Sequence, residues 1–433
     1  MAESNATYDR RAVLSWAFYD FANSSFTTLV VSFIYSVYFA STIAPEETTG
    51  ESWWALAVSI TAIFVAVLSP YAGALADRGG YRKRFLLIAT VVGVAATALL
   101  FFPQPGQVFF ALSVFVVANV AFEMGMVFYN AYLPEIAPPD KIGKISGYGW
   151  GFGYLGGLLC LVLALVGFAQ TETPWFGFSA GDQAYRATNL LVAVWFALFA
   201  IPIFLWVKDR PAPPLPKGSS LIRMTNRQLV NTFHQIRQQY RQIFRLLVAR
   251  LIYNDGLITI FSFGGIYAMA VFGFEFADLI IFGIVLNVAA GLGAFAFGFL
   301  DDKIGGKITV LISLVGLCLA GLVIVLTSSQ AIFWIAAIII GLFIGPNQSA
   351  SRSLMGRFVP AKKETEFFGF FGFSGKATSF LSPALFGVFS YLFSVRAGMA
   401  SVLIFFVVGG LLLLRVNEKE GIALGQQPVD LPD

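Results

Sequence analysis

Charged and amide side chains interrupt apolar segments that are otherwise long enough to cross a membrane. Asp20 in the first segment and Asp255 in the seventh are each followed by hydroxyl side chains four and seven residues later, and Asn23 and Asn254 lie beside them. An ionisable group inside a bilayer costs roughly 2.5–3.5 kcal/mol on insertion scales, so its presence requires a compensating role. We interpret the two aspartates as a substrate- or proton-binding pair, and polar bonding between helices is the alternative.

Five more polar residues occupy positions suited to a ligand. Glu123 and Asn130 share one face of the fourth segment, and Lys376 lies near the middle of the eleventh. A buried lysine pairs with a carboxylate or loses its proton, so we expect Lys376 either to bind substrate or a coupling ion, or to form a static ion pair. Asn347 and Gln348 follow a proline that frees a backbone carbonyl, where their amides suit a ligand or repair the kink.

The residue types that most enzymes use are sparse. His234 is the only histidine, and Cys160 and Cys318 both lie inside apolar segments. Residues 151–156 match a dinucleotide-binding fingerprint, but that motif requires a preceding strand. Here the stretch lies in a membrane helix, where close helix packing explains its glycines. The sequence therefore predicts neither an enzyme nor a metal or cofactor site.

The composition places these residues in a membrane. Of 433 residues, 58% are hydrophobic and 12% are charged, with a mean hydropathy of +0.77, whereas soluble domains carry about a quarter charged residues. Apolar segments of about twenty residues, enough to cross roughly 30 Å of hydrocarbon as helices, recur along the whole chain. We predict an all-α membrane protein with twelve transmembrane helices, at residues 13–40, 54–76, 85–102, 107–132, 146–169, 187–207, 246–272, 278–300, 308–327, 331–351, 367–393 and 398–415.

The distribution of basic residues predicts the orientation of these helices. Of the 28 lysines and arginines, all except Arg186, Arg396 and Lys376 fall on the side of the N-terminus. Short cytoplasmic loops carry such an excess of basic residues. We therefore expect both termini in the cytoplasm and the chain in a bacterial inner membrane. The same topology explains the net charge of +4 without a nucleic-acid partner.

One loop pattern occurs twice and divides the chain into halves. The pattern G-x-L-x-D-[RK]-x-G-x-[RK] follows both the second and the eighth predicted helix. Its glycines allow a tight turn, and its aspartate can cap a helix N-terminus. The repeat predicts two pseudo-symmetric six-helix bundles at residues 1–207 and 246–433. The motif residues are Gly73, Asp77, Arg78, Gly80 and Arg82 in the first half and Gly298, Asp302, Lys303, Gly305 and Lys307 in the second.

Residues 208–245 between the halves have a different pattern. A proline-rich stretch at 211–216 is followed by apolar residues every three to four positions, with arginines between them. This spacing predicts a cytoplasmic linker with a basic amphipathic helix lying on the lipid surface.

The doubled loop resembles the signature of the major facilitator superfamily. That resemblance implies two bundles that rock about a central site, with the loops latching their cytoplasmic ends. Residues 15–24, 147–157, 253–256 and 366–379 more closely resemble the Unknown Major Facilitator family, which includes the autophagy-related vacuolar amino-acid effluxer of fungi. This second resemblance implies amino acids as the transported solutes.

Substrate specificity is expected where the repeat fails. Aligning the halves places unlike residues opposite one another, namely Tyr154 opposite Lys376, Gly345 opposite Glu123 and Arg352 opposite Asn130. A symmetric scaffold has no need for such differences, whereas an asymmetric solute requires asymmetric contacts. The sequence leaves open whether Lys376 pairs with Glu123, Asp255 or Asp20.

Three functions are compatible with these features. The first is a secondary transporter that moves a small polar solute by alternating access, coupled to an ion or a proton. A carboxylate inside the membrane can carry that proton because burial favours its neutral form. The second is a lipid or amphiphile translocator on the same fold, and the third is a membrane receptor or scaffold that does not transport. For the first function we expect the bilayer, the solute and protons as partners, and a functional monomer.

Overall fold

The computed structural model describes residues 8–209 and 221–427, so the proline-rich stretch at 211–216 lies outside the described residues. Ten helices within these ranges are long and apolar enough to cross a membrane. Two more helices, α3 and α11, complete the predicted twelve. They are not among the ten because α3 has three bases in its first turn and α11 is divided into two segments. The helices are α1 (Arg10–Ile43), α2 (Glu47–Gly79), α3 (Arg82–Leu99), α4 (Val108–Asn130), α5 (Ile142–Ala169), α6 (Asp182–Trp206), α7 (Arg241–Phe272), α8 (Phe276–Ile304), α9 (Gly306–Leu326), α10 (Gln330–Phe358), α11 (Glu364–Lys376 and Leu381–Leu392) and α12 (Val395–Leu414).

The surface of the helix bundle matches a lipid environment. A helix pairs its own backbone N–H and C=O groups, which is the condition for crossing hydrocarbon. Large apolar side chains are exposed around the bundle, among them Ile63, Val194, Leu292 and Leu319. An apolar surface of this extent is stable against lipid and not against water. The chain is therefore an integral, multi-pass membrane protein.

The helices form two groups, α1–α6 and α7–α12, that meet along two pairs of helices. Helix α5 packs on α8, and α2 packs on α11. Glycines permit the close approach, because a Cβ at Gly73 would lie 2.4 Å from the carbonyl oxygen of Thr365. Likewise, a Cβ at Gly147 would lie 2.5 Å from the carbonyl oxygen of Ala294. Both contacts lie at the end of the molecule that carries the two motif loops, residues 73–82 and 298–307. We call this end of the molecule the basic end.

Helices α2 and α11 separate toward the opposite end, whereas α1 and α8 still touch there, since a Cβ at Gly283 would lie 2.4 Å from the Phe33 ring. The first segment of α11 packs along α2, whereas its second segment packs on α7 and α12 of its own half. A cavity of about 260 Å³ lies at this end, lined mainly by apolar side chains such as Phe33, Leu161 and Ile280. The structure is therefore closed at the basic end, whereas the other end contains an open cavity.

Several predicted helix boundaries were wrong, among them the end of α10, which reaches Phe358 and not residue 351. The eleventh span is not continuous, because residues 377–380 form turns between its two segments. Pro383 lies in the first turn of the second segment, where the lack of an N–H group costs no hydrogen bond. Helix α7 begins at Arg241 and not at residue 246, since the preceding helix ends at Gln238. Arg250 therefore lies further inside α7 than the predicted boundary placed it.

The helix between the halves, Leu221–Gln238, which we call the linker helix, packs on protein at the basic end. Gln228 accepts a hydrogen bond from Arg78 of α2 and donates to Glu366 of α11 at 2.7 Å. Ile236 is 2% exposed, and Tyr240 just beyond the helix is also buried. The expectation that this apolar stripe lies on lipid was wrong for these two residues. The linker helix instead connects α2 of one half to α11 of the other.

Candidate functional site

An ion pair joins the two halves near the middle of the bundle. The Lys376 ammonium of α11 donates to Glu123 Oε1 of α4 at 2.6 Å. At 1.5 Å per residue, Lys376 lies about 18 Å along α11 from its start at the basic end. The side chains of Lys376 and Glu123 are 28% and 20% exposed. A partly exposed pair at this depth is accessible to a small solute.

The interruption of α11 follows directly after Lys376. A helix that stops inside the membrane leaves carbonyl groups that must find other partners. Arg250 of α7 donates to the carbonyl oxygen of Phe371 at 2.7 Å, and Asn254 donates to that of Gly375 at 3.0 Å. Polar side chains of α7 therefore support the break, which presents Lys376 to Glu123.

A second ion pair between the halves lies closer to the basic end. Arg352 of α10 donates to Asp20 Oδ2 of α1 at 3.0 Å and to Asn130 Oδ1 of α4 at 3.2 Å. It also donates to the hydroxyl and carbonyl oxygens of Ser146 in α5, at 2.9 and 2.7 Å. A Cβ at Gly149 would lie 2.7 Å from Arg352 Nη2, so this position requires glycine.

Aromatic rings enclose the same guanidinium. Its central carbon lies 4.7 Å from the ring centre of Trp16, 5.7 Å from Tyr129 and 5.5 Å from Trp150. The side chains of Arg352 and Asp20 are only 2% and 5% exposed. A buried charge is stable only when it is paired and hydrogen-bonded. This pair therefore holds α10 against α1, α4 and α5 as long as the basic end stays closed.

Two of the predicted amides make contacts within one half. Asn23 Nδ2 donates to Met126 Sδ at 3.2 Å, and Asn347 Nδ2 donates to Ser313 Oγ at 2.9 Å. Both asparagines are buried. Their contacts are those of helix packing, and they do not join Glu123 and Lys376.

Gln348 and Asp255 have different surroundings from each other. Gln348 Oε1 accepts from the Tyr154 hydroxyl at 3.1 Å, which is a further polar contact between the halves. Asp255 is fully buried, and its Oδ1 lies 3.2 Å from Thr378 Oγ1 in the break of α11. The predicted pairing of Asp20 with Asp255 in one site does not describe their contacts, because Asp20 binds Arg352 and Asp255 contacts Thr378.

Each motif aspartate caps a helix of the opposite half. Asp77 of α2 accepts from two backbone N–H groups at the start of α11, at 3.2 and 2.8 Å. Asp302 of α8 accepts from two N–H groups at the start of α5, at 2.7 and 3.0 Å. A carboxylate at a helix N-terminus is stabilised by the free N–H groups and by the helix dipole. The two loops therefore make equivalent contacts between the halves.

The motif glycines serve two purposes. Gly80 and Gly305 have φ values of 61° and 93°, so they supply the turn that ends α2 and α8. Gly73 and Gly298 instead allow backbones to touch, and a Cβ at Gly298 would lie 3.1 Å from the Gly143 carbonyl oxygen. From the sequence, all four glycines were predicted to form turns. Only the second glycine of each loop, Gly80 or Gly305, does so.

The motif bases bind near the loops. Arg82 forms ion pairs with Glu135 at 2.6 Å and with Asp209 at 3.4 Å. Lys307 Nζ donates to a backbone carbonyl of α12 at 3.0 Å, whereas Lys303 is exposed. Lys363, in the loop before α11, donates to the linker helix, and burial lowers the pKa of its ammonium.

The glycine-rich stretch of α5 packs against other helices. A Cβ at Gly153 would lie 2.7 Å from Ser24 Oγ, and one at Gly156 would lie 2.1 Å from the Phe21 carbonyl oxygen. Close packing therefore explains these glycines, as the sequence analysis expected. Within residues 8–209 and 221–427, no three His, Cys, Asp or Glu side chains come close enough to hold a metal ion.

Sequence reasoning missed some residues of the site. Arg250 and Arg352 were both counted among the basic residues that determine topology, yet both lie inside helices and bond to polar groups there. The alignment of the halves did single out Arg352, since it stands opposite Asn130. For Ser146 and Thr378 no signal in the sequence distinguishes them from other hydroxyl residues in the helices.

Known proteins with this architecture are membrane transporters. The fold matches the proton:xylose symporter XylE with a TM-score of 0.71 at 12% sequence identity, covering 95% of each chain. It matches the human organic anion transporter MFSD10 with a TM-score of 0.72 at 14% identity, covering 93% of this chain and 99% of the other. The predicted all-α, twelve-helix major facilitator fold is thus confirmed.

The family within that superfamily is shown by sequence. Residues 41–425 match the family described as vacuole effluxer Atg22 like, and the chain belongs to this family. The protein is therefore a transporter and not an enzyme. It is 29% identical to an uncharacterized MFS-type transporter, YxiO of Bacillus subtilis, over 96% of this chain and 97% of that protein. It is also 26% identical to autophagy-related protein 22 of Yarrowia lipolytica, over 75% of this chain and 68% of the other.

Proposed function

We propose that this protein transports amino acids by alternating access and binds them between Glu123 and Lys376. The proposal rests on one observation, the partly exposed ion pair between the halves beside the break in α11. An amino acid carries a carboxylate and an ammonium group. The carboxylate would replace Glu123 as the partner of Lys376, and the ammonium would replace Lys376 as the partner of Glu123. The exchange leaves no charge without a partner, which keeps the cost of binding low.

Alternating access requires that the contacts at the basic end open while those at the other end close. We place the basic end in the cytoplasm of a bacterial cell, because lysine and arginine are concentrated there. In that orientation the structure is open to the outside. The inward-open state would release the caps of Asp77 and Asp302 and the pairing of Arg352 with Asp20, all of which join one half to the other.

An amphiphile is the second candidate substrate. The cavity at the open end is lined by apolar side chains, including Phe33, Val37 and Leu165. A lipid-like molecule with a zwitterionic head group would place that head at Lys376 and its chain along these residues. A free amino acid makes no use of the apolar lining, so solutes of increasing chain length distinguish the two candidates.

The test uses the purified full-length protein in liposomes with a panel of labelled amino acids and acyl amino acids. We expect Lys376→Ala and Glu123→Gln each to weaken solute binding by about 10- to 150-fold, because a hydrogen bond to a charged group contributes roughly 1.5–3 kcal/mol. Lys419→Ala, which removes an exposed lysine at the basic end, should transport like the wild type. Wild-type transport by Lys376→Ala would refute the proposed site.

A further inference from the structure

Among the residues that the structure describes, Asp255 is a buried carboxyl group without a cationic partner. Its side chain is 0% exposed, and Oδ2 accepts no hydrogen bond from any residue in the described ranges. Its Oδ1 has one contact, Thr378 Oγ1 at 3.2 Å. An ionised carboxylate in such surroundings is unfavourable unless it is paired. The group therefore either holds a proton or must bind another cation.

The repeat explains why Asp255 has no arginine partner. Asp20, its counterpart in the first half, binds Arg352 of the second half at 3.0 Å. By the pseudo-symmetry of the halves, the counterpart of Arg352 is Asn130, an uncharged residue that bonds to Arg352 itself. Among the described residues, the same polar stripe thus carries a carboxylate paired with arginine in one half and a carboxylate without a cationic partner in the other.

The charged side chains on the helices around Asp255 are occupied elsewhere. Arg250 on the same helix donates to the Phe371 carbonyl and to Ser374, and Lys376 on α11 binds Glu123. Arg352 on α10 binds Asp20. On α12, which also packs on α7, the nearest contact given is the Phe406 ring, 2.7 Å from where a Cβ at Gly256 would lie. None of these groups compensates a negative charge on Asp255.

The hydroxyl group of Thr378 fits the protonated acid. Thr378 Oγ1 lies 3.2 Å from the Leu251 carbonyl oxygen as well as 3.2 Å from Asp255 Oδ1. A hydroxyl has one proton to donate and lone pairs with which to accept. If Asp255 is ionised, the single hydroxyl proton of Thr378 can bond either to Asp255 Oδ1 or to the Leu251 carbonyl oxygen, but not to both. If Asp255 is protonated, its O–H donates to Thr378 and Thr378 donates to Leu251, so both bonds form.

We propose that Asp255 is the proton-binding residue of this transporter, and that Thr378 connects it to the substrate site. This inference rests on the proposed function, because it assigns the coupling ion of that same site. Thr378 lies two residues after Lys376, within the turns that interrupt α11. Loss of the proton to water leaves a charge on Asp255 that the closed surroundings do not stabilise. The break must then rearrange, and it carries Lys376 with it.

The first experiment compares accumulation with exchange in liposomes. Accumulation is driven by an inward pH gradient, and exchange uses equal solute on both sides without a gradient. Asparagine at position 255 has the shape of the protonated acid and cannot release a proton. We expect Asp255→Asn to lower the ratio of accumulation to exchange by about 5- to 150-fold, the usual range for coupling between two sites. Asp182→Asn, the same change at an exposed carboxylate, should leave the ratio unchanged.

The second experiment does not require a known solute. The infrared spectrum of the wild type at neutral pH should contain the carbonyl band of a protonated, weakly hydrogen-bonded carboxylic acid, and Asp255→Asn should lack it. If that variant fails to fold, Thr378→Val should shift the same band, since it removes the acceptor of the acid proton. Absence of the band, or its persistence in the folded Asp255→Asn protein, would overturn the assignment.

The outcomes separate this inference from the proposed function. If no amino acid or acyl amino acid in the panel is transported, the proposed function fails, while the infrared band still reports on Asp255. If exchange occurs but a pH gradient drives no accumulation, the proton assignment fails and the transport site stands. Accumulation driven by a sodium gradient, with loss of the band on adding sodium chloride, would assign sodium ion to Asp255 and overturn the proton.

Discussion

Replacing Arg352 by glutamine should open the basic end. In the closed state Arg352 is the cation that pairs with Asp20, and the aspartate side chain is only 5% exposed. Removing one partner of a buried pair costs about 3–5 kcal/mol, because the other charge stays buried without compensation. Water reaches Asp20 once the basic end opens, so this cost falls on the closed state alone. The equilibrium between the two states should therefore shift by about 10²- to 10⁴-fold.

Spin-label distances measure that shift. Labels on cysteines at Arg84 of the first half and Lys419 of the second report the width of the basic end, since both positions are exposed there. The two native cysteines, Cys160 and Cys318, are replaced first so that only the introduced positions react. We expect the wild type to show the short distance and Arg352→Gln to show a longer one. Arg352→Lys keeps the positive charge but loses the planar guanidinium group with its several N–H donors. Its spin-label distances should therefore lie between those of the wild type and Arg352→Gln.

The double variant gives the sharper test. When Asp20→Asn is added to Arg352→Gln, the site of this ion pair no longer contains a buried charge. The closed state should therefore regain population relative to Arg352→Gln alone. Arg396→Gln is the matched control, because Arg396 bonds to carbonyl groups within its own half. The reasoning is refuted if Arg352→Gln keeps the wild-type distance, or if the double variant is more open than the single one.

Two further predictions concern contacts between helices. Gly156→Ala places a Cβ 2.1 Å from the Phe21 carbonyl oxygen, so it should destabilise the protein in detergent by about 1–3 kcal/mol. Gly264→Ala has free space around it and should melt like the wild type; equal melting temperatures for both variants would contradict the packing argument. Asp77→Ala and Asp302→Ala each remove a helix cap between the halves, worth about 0.5–2 kcal/mol, and should lengthen the same spin-label distance to similar extents. A large effect from only one of them would show that the two loops are not equivalent.

Local patterns in the sequence were sufficient for the architecture. A run of about twenty apolar residues must form a helix in lipid, since no other local structure pairs its own backbone groups. The helix break at residues 377–380 was missed because its two hydroxyl residues, Thr378 and Ser379, resemble those inside the other helices. Its supports, Arg250 and Asn254, lie on another helix. Arg250 was counted with the basic residues that determine topology, whereas it bonds within the bundle.

The doubled motif shows which contacts a sequence repeat predicts and which it does not. From the sequence, Asp77 and Asp302 were candidates for helix caps, but a cap is ordinarily made to the helix that follows in the chain. The structure shows that both caps reach a helix of the other half. That connection depends on how the bundles are placed together, which no local pattern contains.

By itself the sequence determined that this protein is a membrane protein with two related halves, and it named the residues at which the halves differ. Hydrophobic length, basic loops and repeated spacing are local properties, and the bilayer gives them a direct structural meaning. Only the tertiary structure decided the partners. Lys376 binds Glu123 across 253 residues of chain, and Arg352 binds Asp20 across 332. Such pairs are selected by the packing of whole bundles, since a buried charge must find its partner wherever the fold brings one within reach.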